Sequence, residues 1–141
     1  MQLRRFLSQL PERLATGSYV LHSGLQKWKG DEQTAAGIHG MASGAYPVFA
    51  KMKPASFLRM LAVGEITTGS LLLIPFVPRA VAGAALTGFA GALVGMYLRT
   101  PALHQEGSVW PTPNGLAVSK DVWMLGIGSA LLLDGVLPGG N

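Results

Sequence analysis

Four charge-poor stretches alternate along the chain with polar segments flanked by basic residues. Between Arg59 and Arg99 the only charged residues are Glu65 and Arg79. A run that long exceeds one ordinary soluble element, whereas about 20 apolar residues cross a bilayer core. Pro75, Pro78 and Arg79 in Ile-Pro-Phe-Val-Pro-Arg break the run. The pattern therefore predicts two membrane helices back to back, over residues 56–75 and 79–98. A further apolar helix is expected over 120–137, stopped by Pro138, Gly139 and Gly140.

The first stretch, 13–29, is the most polar of the four, with Tyr19, His22 and Gln26 inside it. Its spacing is nonetheless helical. Ser18, His22 and Gln26 recur at four and share a face, leaving Leu14, Val20, Leu21 and Leu25 for other faces. Pro11, Glu12 and Arg13 interrupt the apolar pattern ahead of it. That break argues against a signal peptide, and the first apolar stretch is expected as a retained helix.

The expected fold is thus all-α, a single membrane domain over residues 1–141 built as a four-helix transmembrane bundle. Two longer loops, 30–54 and 100–119, fall on one side of it. Residues 48–53 are expected to lie flat in the interface, and Trp110 at headgroup level. Lys27, Lys29, Lys51, Lys53, Arg59, Arg99 and Lys120 flank the loop side, against Arg4, Arg5, Arg13 and Arg79 opposite. This excess puts the long loops in the cytoplasm.

Composition agrees. The 141 residues fit one domain; 49% are hydrophobic and only 13% charged, with mean hydropathy +0.35. The net charge of +4 comes from basic residues scattered at segment ends, which flanks membrane helices and excludes a nucleic-acid surface. Nineteen glycines suit close helix packing. Ala84 and Gly88, within an Ala80-Ala84-Gly88-Ala92 repeat, and the Gly91–Gly95 pair form the expected packing ridge of the third span.

The chain has no cysteine, which removes disulfides, thiolate metal sites and any thiol relay of its own. The His104-Gln105-Glu106 fragment offers too few ligands, so neither a metal nor a haem is expected. No P-loop, dinucleotide fingerprint, Gly-x-Ser-x-Gly or His-Glu-x-x-His occurs. Glu65 is the leading candidate for chemistry, because an ionisable group in a span is costly to bury. It reads either as a polar clasp between helices or as a ligand or proton site. Arg13, His22 and Lys27 on the first helix, and Arg59, are its candidate partners. Lys27 and Lys29 also read as side chains snorkelling to the interface, and Asp31 and Glu32 as solvated loop charges.

Several motifs together resemble the DoxX family. Glu12-Arg13-Leu14 with Gly17, then Gly24-Leu25-Gln26-Lys27, is similar to the first helix of its members. Gly64-Glu65 with Gly69 and Leu71-Leu72-Leu73 resembles the second, and Lys120-Asp121 the opening of the last. The resemblance spans roughly Arg13 to Gly135 and implies a four-helix protein of the cytoplasmic membrane. Members are linked to redox roles, including a subunit of thiosulfate:quinone oxidoreductase. With the polar constellation of Glu65, His22, Arg13 and Lys27 in an otherwise apolar bundle, the expectation is a DoxX-like accessory, redox- or quinone-linked subunit without a complete active site of its own; the His22 ring is a candidate donor to a quinone oxygen. Alternatives are a packing subunit of a larger membrane complex, or small-solute or proton transport by an oligomer. The expected partners are the lipid bilayer and either other membrane subunits or further copies of the chain.

Overall fold

The computed structural model describes residues 2–137, and the expected stop at Pro138 to Gly140 lies outside them. Six α-helices follow in order: α1 Gln2–Trp28, α2 Glu32–Ala45, α3 Pro54–Leu73, α4 Arg79–Arg99, α5 Leu116–Ser119 and α6 Asp121–Val136. Short 3-10 turns cover Pro47–Lys51 and Pro101–Leu103. Among the described residues three helices are long and apolar enough to cross a membrane: Pro54–Leu73, Arg79–Arg99 and the joined Leu116–Val136. The first helix does not reach that standard.

Two antiparallel pairs make the body, α1 with α3 and α4 with α6. Each pair closes on glycine. A side chain at Gly69 would put its Cβ 2.6 Å from the Leu21 backbone nitrogen, and one at Gly17 would lie 3.0 Å from the Leu72 Cβ. In the other pair, Gly83 meets the Leu132 backbone and Gly128 the Thr87 backbone. The backbones therefore touch, which is how helices gain dispersion energy in lipid, where apolar burial alone supplies little. Val20, Leu72, Ala82, Leu86 and Leu131 fill the seam between the pairs. Large apolar side chains, including Val63, Val81, Trp123 and Leu133, point outward on the other faces. An outward apolar surface suits lipid and not water.

The structure corrects several expectations. Helix α1 begins at Gln2 and runs through Pro11, so the helix extends well ahead of the expected 13–29 stretch. Proline forgoes one ladder bond there, at an exposed position. The 30–54 connection is no open loop. It folds as α2, capped by Asp31, whose Oδ1 accepts from the Thr34 N–H at 2.8 Å. That backbone hydrogen bond holds the Asp31 carboxyl below its usual range. Ala42 and Ala45 of α2 pack on Phe57 and Met96, and Arg99 stacks on Tyr46 at 5.0 Å where α2 ends.

The packing ridge of α4 also differs. Ala84 and Gly88 are exposed, no other element approaches Gly88, and Gly91 has only a 3.9 Å neighbour, the Leu125 side chain. Gly95 meets the Tyr46 hydroxyl and not a helix. Helix α6 lies instead on the Ala80, Gly83 and Thr87 side. Small residues occupy both faces of α4, and the partner helix selects one of them. Gly69→Ala should accordingly cost roughly 1–3 kcal/mol through forced separation of α1 and α3. Gly88→Ala should fall within about 0.5 kcal/mol of wild type. Denaturation in mixed micelles of detergent and SDS measures both, and equal effects would contradict this packing.

Candidate functional site

The polar side chains of α1 part into three groups. Arg13 is 2% exposed and serves the far end of α3. Its Nε donates to the Leu72 carbonyl at 2.8 Å. Nη2 donates to Leu71 and Ile74 at 2.8 and 3.0 Å, and Nη1 to Val77 and the Gln9 side chain at 3.0 and 3.2 Å. All five guanidinium donors are thereby used. They satisfy carbonyls that a helix end leaves open, at the negative pole of its dipole. Arg13 is thus a clasp on the α3–α4 turn. The Arg13–Asp134 pairing that helix direction would permit does not form, because Asp134 pairs with Arg79.

His22 is exposed, with Ser18 and Gln26 beside it on the outer face of α1. Among the described residues it forms no hydrogen bond or ion pair, and it does not line the cavity that borders Lys27 and Glu65. Arg59 stacks over Trp28 at 5.4 Å and does not reach Glu65.

Lys27 is the partner that Glu65 takes. Its Nζ lies 3.0 Å from Oε1 and 3.1 Å from Oε2, and 2.7 Å from the Ser23 Oγ one turn back. Lys27 therefore turns inward and does not snorkel, while Lys29 is exposed. Glu65 is 3% exposed on α3. The register set by Gly17 and Gly69 brings the end of α1 beside it. A buried carboxylate at this depth requires such a partner, because an unpaired charge loses its hydration without return.

The pair forms the polar end of a cavity of about 440 Å³. Ile38 and Met41 of α2, Phe89, Leu93 and Met96 of α4 and Met124 of α6 line it. A third charged residue, Asp121 at the start of α6, borders the same space. Sequence reasoning noted Lys120-Asp121 as a motif but did not join Asp121 to Glu65. The approach depends on how α5 leads into α6, which spacing does not reveal. A mostly apolar chamber with a few convergent polar groups is the usual form of a small-molecule site. Among the described residues no group of three or more His, Asp or Glu converges to hold a metal ion.

Apolar helices of spanning length around a buried ion pair define a membrane protein. The family model for DoxX matches residues 8–98, more than half of the chain, and the chain belongs to that family. The match takes in α1 through most of α4, including Arg13, Lys27 and Glu65, and leaves Asp121 outside it. No curated protein and no solved structure matches the chain.

Arg13→Ala should lower stability by roughly 3 kcal/mol, since it strands several buried carbonyls at once. Arg13→Lys should recover little, because three ammonium donors cannot replace the five-donor fork. The same mixed-micelle denaturation reads both, and full recovery by lysine would contradict the clasp.

Proposed function

We propose that the chain is an accessory subunit of a redox-linked membrane system, holding a quinone-type ring in the cavity beside Lys27 and Glu65. The observation that carries this reading is a buried ion pair opening onto an apolar chamber of about 440 Å³. The chamber's volume falls in the range that takes drug-sized molecules. Family membership is consistent with it, and without cysteine the electron chemistry belongs to the ligand or a partner. His22 has no part in this site.

The reading includes four spans, with α1 as the fourth. Antiparallel pairing with α3, the buried Arg13 and the half-buried Lys27 support this, since α1 turns its costliest side chains inward. It also includes the cytoplasmic membrane, with α2 and the 100–119 segment on the cytoplasmic side.

A second reading makes the chain a packing subunit of a larger complex. The exposed Ala84 and Gly88 of α4 favour it, as small residues left open to a neighbour.

The test is a titration of nanodisc-embedded protein with a short-chain benzoquinone and benzohydroquinone mixture. Saturable binding is expected, weakened about tenfold by Glu65→Gln with the level of inserted protein unchanged. Absence of saturable binding, or loss of the variant from the membrane, would contradict the ligand role and leave Glu65 a folding residue.

A further inference from the structure

The cavity is not evenly supplied with hydrogen-bonding groups. Lys27 carries the only obligate donors among the charged residues that border it. Its three N–H groups face three acceptors: Ser23 Oγ at 2.7 Å, Glu65 Oε1 at 3.0 Å and Glu65 Oε2 at 3.1 Å. None is left for a ligand. The other fixed-polarity groups are acceptors. Asp121 borders the space and, among the described residues, makes no hydrogen bond and no ion pair. The Glu65 oxygens each retain a lone pair beyond the bond to Lys27. Met41, Met96 and Met124 add thioether sulfurs, which are weak acceptors. The Ser23 and Tyr19 hydroxyls can rotate to give or to accept, so they favour neither kind of ligand.

Formal charge has the same bias. Lys27 and Glu65 neutralise one another, and Asp121 remains as the uncompensated charge on the wall. A headgroup that only accepts hydrogen bonds would meet carboxylate oxygens across an apolar gap, at a cost in desolvation. A headgroup that donates would form charge-assisted bonds, roughly twice as strong as neutral ones.

We propose that the cavity selects lipophilic ligands whose headgroup donates hydrogen bonds, and that the free Asp121 carboxylate is the residue that reads the donor. This rests on the reading of the cavity as a ligand site. For a quinone-type ligand it specifies the favoured oxidation state: the dihydroxy form binds more tightly than the dicarbonyl form. The two forms differ only by two hydrogens, so shape and apolar area cannot produce the difference. Asp121 also sits in the first turn of α6, where a carboxylate favours the helix dipole. That role is indifferent to which ligand is present, so ligand preference separates the two.

The experiment measures decyl-benzohydroquinone and decyl-benzoquinone separately, against wild-type protein in phosphatidylcholine nanodiscs, with empty nanodiscs subtracted. The hydroquinone should bind about tenfold more tightly. For a two-electron couple that corresponds to about 30 mV of upward shift in the midpoint potential of the bound ligand. Asp121→Asn supplies an amide donor and should abolish or reverse the preference, while Asp121→Glu should keep it. Equal binding of the two forms, or a preference unchanged in Asp121→Asn, overturns the proposal and leaves the ligand site standing. Binding of neither form overturns both. Should Asp121→Asn not insert, the wild-type ratio and Asp121→Glu decide the matter between them.

Discussion

A charge cannot stay buried among apolar helices without a counter-charge, and in this chain the Lys27–Glu65 pair meets that condition. Its geometry follows from the packing of α1 on α3. Gly17 and Gly69 let the two backbones touch, and contact at that separation fixes which residue of α1 stands beside Glu65. The pair in turn makes the polar end of the chamber, which would otherwise be an apolar gap that the helices could close. Register, ion pair and cavity are thus one arrangement, and the loss of any of them disturbs the other two.

Arg13 performs the matching task at the opposite end. It gathers the open carbonyls of α3 and of the turn into α4, so the α1–α3 pair is held at both ends by a cation from α1. The two cations nevertheless have different consequences. Arg13 exhausts its donors on four backbone carbonyls and the Gln9 side chain. Lys27 exhausts its donors on side chains and leaves a neighbouring carboxylate, Asp121, without a bond. The backbone clasp and the proposed ligand site thus fall at opposite ends of one helix.

Much of this was legible in the residues. The span from Arg59 to Arg99 and its Pro75–Pro78 break predict α3 and α4 within two residues, because lipid imposes length and apolarity on a helix. Glu65 stands out as the one acid in that run. Its partner did not, since Arg13, His22, Lys27 and Arg59 were all available and only helix register separates them. Helix α2 escaped notice because glycine, alanine and histidine give it no strong apolar stripe; its burial comes from Phe57 and Met96, far away in sequence. The α4 ridge was misplaced because Ala84 and Gly88 look as fit for packing as Ala80 and Gly83. Asp121 was visible as a motif and invisible as a neighbour.

The most direct measurement is a double-mutant cycle on Lys27→Met and Glu65→Gln, read as stability of the lipid-embedded protein. The account predicts strong coupling, of at least about 1.5 kcal/mol, with the double variant more stable than either single one. Additive effects, with the double variant the least stable of all, would show that the two side chains do not meet inside the bundle.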